Sequence, residues 1–200
     1  EDRSQGTRIM KLFHHHPMFV FGLLALLAYE IAEISINSYF INYVTAKGWM
    51  TDNTASIILT VALGLFMVGR FAGSWAMRRV KPERMLLYCA TGSVTCVGVV
   101  MLNLGVVSMV ALILNYVCEA IMFPTIFSLS LRGLGNLTKS ASSLLMMTPI
   151  GGCGFLLMGL VADSTHMMSM PFIIPFIGFF VVLLFASELT RKQKPTILII

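Results

Sequence analysis

Residues 23–44, LLALLAYEIAEISINSYFINYV, are long and apolar enough to cross a lipid bilayer as one helix. A bilayer-spanning helix needs about 20 predominantly apolar residues. Three polar side chains nevertheless stand in the middle of this segment, those of Glu30, Glu33 and Asn37. A charged side chain at the bilayer centre costs roughly 2.5–3.5 kcal/mol on insertion scales. The segment therefore predicts a membrane helix whose carboxylates have a function.

The composition of the whole chain supports a membrane protein. Apolar residues make up 57% of the 200 residues and charged residues 12%, and the mean hydropathy is +0.85. Soluble domains carry about 25% charged residues. The four cysteines lie in apolar segments without CxxC or metal-ligand spacing, which indicates packing residues rather than a disulfide or a metal site. We predict an all-α integral membrane protein with no cofactor.

Short breaks with charges or turn formers divide the chain into six predicted spans. These spans lie at 17–44, 53–77, 84–103, 106–131, 138–162 and 171–189. They predict one six-helix bundle over residues 17–189, preceded by a loop at 1–16 and followed by a tail at 190–200.

The basic residues predict how the bundle is oriented. Lys and Arg are concentrated before the first span, between the second and third, between the fourth and fifth, and after the sixth. These positions lie on one side of the membrane, and cytoplasmic loops carry the excess of Lys and Arg. We therefore predict a multi-pass protein of the cytoplasmic (inner) membrane with both termini in the cytoplasm. A nucleic-acid partner is not expected, because the basic residues form no contiguous patch.

Two predicted helices carry matching polar stripes. At 100° per residue, Glu30, Glu33 and Asn37 lie within about 60° of one another. In the fourth span Asn115 and Glu119 are i, i+4 neighbours. Glu30 and Glu119 each lie 13 residues into their spans, about 20 Å from the starting face by helical rise.

The stripes predict a polar substrate site inside the membrane and proton coupling. Glu33, Asn37, Asn115 and Glu119 are the candidate substrate-binding residues, and Glu30, Glu33 and Glu119 are the proton-coupling candidates, because burial disfavours the charged form of a carboxyl group. A purely structural interpretation, in which the acids are neutral and bonded within the bundle, remains open, chiefly for Glu30. Tyr39 or Tyr116 could stack on a sugar ring, whereas Tyr43 and Trp49 are typical of the interfacial aromatic belt.

Small residues and prolines inside the spans indicate close packing or hinging. The motif GRFAGS places Gly69 and Gly73 on either side of Arg70, the single basic residue in the interior of a predicted span, and Pro124 removes one helical hydrogen bond beside Glu119. The fifth span concentrates Pro149, Gly151 and Gly152. We assign these seven residues to packing or gating. The stripes on the first and fourth spans also suggest a 3+3 inverted repeat with a site at the midplane.

Three segments resemble one family of transporters. They are FPTIFSLSLRGLGNLTKSASSLLMMTPIGGCGFLLMGLVAD at 123–163, GRFAGSWAMRRVKPERML at 69–86 and AYEIAEISINSYFINY at 28–43. Together they resemble the C-terminal half of the fucose permease and glucose/galactose transporter family of the major facilitator superfamily. The likeness covers roughly residues 10 to 190, and the FPTIFSL and GLG elements are specific to the family.

The resemblance implies a twelve-helix transporter that carries sugar with protons, of which this chain supplies the second six helices. Residues 1–16 would then be the cytoplasmic loop between the halves, and the partner would be the missing N-terminal six-helix half. The resemblance also implies that Glu33, Asn37 and Glu119 face the cavity, although family sequences have a small or amide residue in place of Glu119. The family's proton-linked acidic residues lie in the other half.

The predicted function is therefore secondary active transport of a fucose-, glucose- or galactose-type sugar, coupled to H⁺ by alternating access. A stand-alone six-helix module, or a half-transporter that dimerises, is the alternative. An intramembrane enzyme is the third possibility and is not favoured, because the sequence has neither a GxSxG nor an HExxH motif.

Overall fold

The computed structural model describes residues 10 and 12–192, and its regular structure there is entirely helical. A short helical stretch at residues 12–15 comes first. Seven longer α-helices follow it: α1 (Pro17–Ala46), α2 (Asp52–Ala76), α3 (Pro82–Met101), α4 (Val106–Ser130), α5 (Thr138–Leu145), α6 (Phe155–Thr165) and α7 (Ile173–Lys192). Short 3₁₀ segments cover Gly135–Leu137, Thr148–Gly154 and Met170–Phe172. Residues 1–9 of the predicted N-terminal loop and residues 193–200 of the predicted tail lie outside the described residues.

The six predicted spans are confirmed. Six segments of the described chain are long and apolar enough to cross a membrane, and each overlaps one predicted span. Four of them are single helices, α1 to α4. The fifth runs from Gly135 to Thr165 and the sixth from Met170 to Lys192. An even number of crossings places the start of α1 and the end of α7 on the same side of the bilayer.

The helix ends follow local sequence signals. Pro17 and Pro82 lie in the first turns of α1 and α3, where the missing N–H costs nothing. The hydroxyl of Thr51 caps α2 by accepting a hydrogen bond from the backbone N–H of Thr54 at 3.5 Å. Gly105 precedes α4 with a φ of +65°, a conformation that favours glycine.

The fifth span is not a continuous α-helix. Thr148–Gly154 forms a 3₁₀ segment between α5 and α6, at the position of Pro149, Gly151 and Gly152. This segment packs against α1: a Cβ added at Gly151 would lie 3.0 Å from Ile31, and one at Gly152 would lie 3.0 Å from Ile34. The small residues therefore allow a tight contact, as the packing interpretation requires.

Helix α1 is the central element of the bundle. It packs against α7, α4, α2 and the 3₁₀ segment of the fifth span, while α3 packs against α4 and α7. Half of the most apolar window of α1 is buried, and so is half of that of α4, but only 17% of that of α2. Within the part of the chain that the structure describes, α2 therefore has most of its surface uncovered.

Glycines set the distance between α2 and α4. A Cβ added at Gly69 would lie 2.9 Å from the Cβ of Ala120, and one at Gly73 would lie 2.3 Å from Ile121. Both distances are shorter than carbon atoms tolerate, so the two helices approach this closely only because these positions lack side chains.

An ion pair joins two connections at one end of the bundle. Arg132, just after α4, donates to the carboxylate of Glu83 in the first turn of α3. The side chain of Glu83 is 2% exposed and that of Arg132 is 58% exposed. The carboxylate also lies at a helix N-terminus, where the helix dipole favours negative charge.

Candidate functional site

Three polar side chains lie one turn apart along α1. Glu30 is buried at 7% exposure, whereas Glu33 and Asn37 are half-buried. Helix α1 is surrounded by other helices, so these side chains lie within the bundle or along its clefts. Glu33 and Asn37 therefore have the accessibility that contact with a ligand requires.

The polar pair of α4 is enclosed completely. Asn115 and Glu119 are both 0% exposed. The side-chain amide of Asn115 donates from Nδ2 to Oε1 of Glu119 at 2.6 Å, as the i, i+4 spacing predicts. In this conformation the two side chains contact each other and not an open surface.

Helices α1 and α4 run antiparallel in a defined register. The hydroxyl of Tyr29 donates to the backbone carbonyl of Glu119 at 3.0 Å. The ring of Tyr29 lies 6.4 Å from that of Phe123, and the ring of Phe40 lies 6.4 Å from that of Tyr116. As the residue number rises along α1, the contacted position on α4 falls.

This register brings the two polar stripes together. It places Glu33 level with Glu119 and Asn37 close to the level of Asn115. The carboxyl groups of Glu33 and Glu119 lie within electrostatic range of each other. The sequence places carboxylates at similar depth on the first and fourth spans, and the structure has these helices as direct neighbours.

Arg70 supplies a positive charge that acts on the acids of α1. It is exposed on α2, with its guanidinium carbon 4.8 Å from the centre of the Phe66 ring. Its charge acts on Glu30 and Glu33 across the contact between α2 and α1. The sequence assigned Arg70 to gating or packing, and the structure places it beside the acidic stripe.

A cavity of about 540 Å³ opens between α2 and α4. Its lining is Met67, Arg70, Phe71, Ser74, Met77, Ile121, Phe123 and Pro124. The sequence selected Arg70 and Pro124 but none of the other six, because apolar residues of a membrane helix have the same pattern whether they line a cavity or contact lipid. None of the four predicted substrate-binding residues is in this lining.

The tyrosines are engaged in packing. Tyr116 is fully buried against Phe40, and the hydroxyl of Tyr39 lies 3.0 Å from the sulfur of Met168. Tyr43 donates to a backbone carbonyl at 3.4 Å and meets Trp49 edge to face. In this conformation neither Tyr39 nor Tyr116 presents an open ring face to a sugar.

Several buried polar atoms have no hydrogen-bond partner in the described part of the chain. They are Ser35 Oγ, Asn37 Oδ1, Ser93 Oγ, Asn115 Oδ1, Tyr116 OH and Glu119 Oε2. Native proteins leave few such atoms unpaired. Four of the six belong to the facing stripes of α1 and α4 or to Tyr116, so these side chains have hydrogen-bonding capacity that they do not use among themselves.

The arrangement gives no sign of a metal centre. Among residues 10 and 12–192, no group of three or more His, Cys, Asp or Glu is placed to hold a metal ion. All four cysteines are free. The polar side chains described at the site are carboxyl, amide and phenol groups, which can form hydrogen bonds.

Known proteins identify the architecture. No family model matches the chain. Its fold, however, superimposes on a crystal structure of a major facilitator superfamily transporter, FucP, in the outward conformation, with a TM-score of 0.86 and 31% sequence identity. The match covers 92% of this chain and 44% of that one. The chain belongs to the major facilitator superfamily.

Relatives within this superfamily are sugar transporters. The chain is 30% identical to a putative glucose/galactose transporter of Helicobacter pylori over 190 residues, which is 92% of this chain and 46% of the relative. It is 34% identical to the L-fucose-proton symporter of Escherichia coli over 204 residues, covering 98% of this chain and 45% of the relative. A glucose/galactose transporter of Brucella abortus is 32% identical over 149 residues, or 72% of this chain and 36% of that one.

The major facilitator fold explains the layout of the six spans. The chain spans about half the length of the curated relatives it matches, which is consistent with the C-terminal half that the sequence predicts. These relatives are transporters and not enzymes. The inverted 3+3 repeat and the cytoplasmic position of the termini stay predictions.

Proposed function

We propose that this chain is the C-terminal half of a transporter that carries a fucose-, glucose- or galactose-type sugar with protons across the cytoplasmic membrane. The observation that carries the proposal is the 30–34% identity, over nearly the whole chain, to relatives described as glucose/galactose transporters and L-fucose-proton symporters. Alternating access supplies the mechanism, because it is the way two such halves expose a midplane site to each side in turn.

The accessible acids and amides fit the sugar-binding part of this role. Glu33 and Asn37 are half-buried on the central helix, and carboxylate and amide groups can accept and donate the hydrogen bonds that sugar hydroxyls make. Arg70 and Phe123 line the neighbouring cavity. Asn115 and Glu119 are fully buried on α4, level with Asn37 and Glu33 of α1. We therefore assign them to the same site.

The uncovered side of the bundle fits the missing half. Helix α2 is buried over only 17% of its apolar window, although Arg70 projects from it. A charged side chain facing lipid is expensive. We therefore place the N-terminal six-helix half against α2, where it would close the cavity that Arg70 lines.

The proposal predicts sugar accumulation driven by a pH gradient. The native-length protein, reconstituted into vesicles that are more acidic outside, is expected to take up at least one of L-fucose, D-glucose and D-galactose above the external concentration. A protonophore is expected to abolish the accumulation. Labelled-sugar uptake is the measurement. Accumulation that follows a Na⁺ gradient and ignores the protonophore would contradict proton coupling, and no uptake of any of the three sugars would contradict the substrate class.

The same uptake assay distinguishes the C-terminal half of a longer transporter from a half-transporter that works as a dimer. Residues 1–200 expressed alone are expected to insert but not to accumulate sugar. Accumulation by this chain alone, with a mass corresponding to two copies, would instead support the dimerising half-transporter.

A further inference from the structure

The pair formed by Asn115 and Glu119 has one hydrogen bond and two buried oxygen atoms without a partner. Nδ2 of Asn115 donates to Oε1 of Glu119 at 2.6 Å. The second oxygen of the carboxyl group, Oε2, and the oxygen of the amide, Oδ1, are both buried without a partner. Both atoms are acceptors when Glu119 is ionised. Each unpaired buried polar group costs about 1–3 kcal/mol.

A proton on Oε2 of Glu119 would give both unpartnered oxygen atoms a hydrogen-bond partner. A carboxylic acid and a primary amide can join through two antiparallel hydrogen bonds, with N–H donating to one carboxyl oxygen and O–H donating to the amide oxygen. The first bond is present in the structure, and the second would join the two atoms that lack a partner, Oε2 of Glu119 and Oδ1 of Asn115. Both side chains are 0% exposed and therefore lie beneath the surface of the described bundle.

Within the part of the chain that the structure describes, no cationic side chain is found to act on Glu119. The titratable groups within electrostatic range are Glu33 and Tyr29 on α1, Cys96 on α3, and Tyr116 and Cys118 on α4 itself. None of them carries positive charge in any protonation state. From α2, Arg70 acts on Glu30, Glu33 and Tyr29. An ionised Glu119 would therefore be a buried charge without a counter-ion, which is strongly unfavourable.

We propose that Glu119 is a neutral carboxylic acid closed in a cyclic pair with Asn115, and that it is the residue of this half that stores the transported proton. The second part of the proposal rests on the proposed function, whereas the protonation state does not. Glu33, level with Glu119 and half-buried, is the exchange partner. On release the Oε2–H bond of Glu119 breaks, the proton passes to the carboxylate of Glu33, and Glu119 keeps only the bond from Asn115.

Infrared spectroscopy of the native-length protein in lipid tests the protonation state. At pH 7 exposed carboxyl groups are ionised, because their unperturbed pKa values are about 4. We expect the wild type to show the carbonyl stretch of a protonated acid, with a shift in deuterium oxide. Glu119→Gln is expected to remove one such component, and Asn115→Leu to move it to higher wavenumber as the acceptor is lost. Glu188→Gln, on α7 where the glutamate side chain is 41% exposed, is the control and is expected to leave this carbonyl band unchanged. Identical spectra for the wild type and Glu119→Gln would overturn the proposal.

Transport by the same variant tests the proton-storing role. Glu119→Gln preserves the shape and an amide-to-amide pair but removes the exchangeable proton. We expect it to lose sugar accumulation driven by a pH gradient, and to lose much less of the exchange of labelled for unlabelled sugar at equal pH. Accumulation at the wild-type level would overturn the role. If the wild type itself accumulates no sugar, the proposed function fails, and the infrared result still decides whether the pair is protonated.

Discussion

Glu33→Gln is expected to abolish sugar uptake driven by a pH gradient, while the amount of transporter in the membrane stays the same. Glu33 is half-buried on the central helix, within electrostatic range of Glu119 and of Arg70. The amide keeps the size and polarity of the side chain but exchanges no proton. The loss should therefore affect proton-coupled accumulation above all.

Ser38→Ala provides the matched control for Glu33→Gln. Ser38 is an exposed residue of the same helix, so its variant should accumulate sugar as the wild type does. Initial uptake rates with and without a protonophore, normalised to the transporter detected in the membrane, are the measurement. Wild-type accumulation in Glu33→Gln would remove Glu33 from the site, whereas equal losses in both variants would point to damaged packing of α1.

Gly178→Ala is expected to lower the stability of the bundle by about 3 kcal/mol or more, at the upper end of overpacking effects. A Cβ at this position would lie 2.6 Å from the backbone carbonyl oxygen of Ala28 and 3.0 Å from the Cβ of Ala32. A backbone carbonyl cannot rotate away, so α7 and α1 would have to separate. Alanine is the better helix former by roughly 0.5–1 kcal/mol, and a loss of stability therefore reports the contact and not the helix propensity.

Gly159→Ala is the control for Gly178→Ala. A Cβ added at Gly159, inside α6, meets no atom within 4 Å, and we expect the stability to stay the same or to rise by up to about 1 kcal/mol through helix propensity. Thermal unfolding of the purified protein in one detergent compares the two variants. A melting temperature for Gly178→Ala at or above that of Gly159→Ala would show that α1 and α7 are not packed as described.

The sequence predicts the spans well because bilayer thickness fixes their length. Each of the six has a long apolar run of the kind that a bilayer requires. The exact starts at Thr51 and Pro82 were recognised only in the structure, since the predicted spans begin at 53 and 84. The interruption at Thr148–Gly154 is less predictable. Pro149, Gly151 and Gly152 permit a bend, but whether the chain forms α-helix or 3₁₀ structure there depends on the fit against Ile31 and Ile34 of α1.

The sequence predicts which polar residues share one face of a helix. It does not predict how deeply each of them is buried in the bundle. Helical periodicity groups Glu30 with Glu33, yet it cannot say that Glu30 is the more enclosed of the two. The bond between Asn115 and Glu119 follows from spacing within one helix. The hydrogen bond from Tyr29 to the carbonyl of Glu119 depends on the register between α1 and α4. The sequence of neither helix predicts that register.

The partners of charged residues outside the stripes also depend on tertiary structure. Glu83 and Arg132 are 49 positions apart in the chain and join through side chains at one end of the bundle. The sequence identified Arg132 as a loop charge that sets orientation, and it gave no reason to expect a buried acid beside it. Conversely, Arg70 was recognisable as unusual from its position inside an apolar span, because such residues are rare unless they have a function.

The central claim is that sugar and protons cross the membrane together through the protein to which this chain belongs. The most direct test is to add sugar to lightly buffered vesicles that contain the native-length protein, with no ion gradient imposed, and to record the external pH. We predict that the medium becomes more alkaline as sugar enters, and that Glu33→Gln and Glu119→Gln suppress this change. Sugar entry by the wild type without any change in external pH would contradict the account.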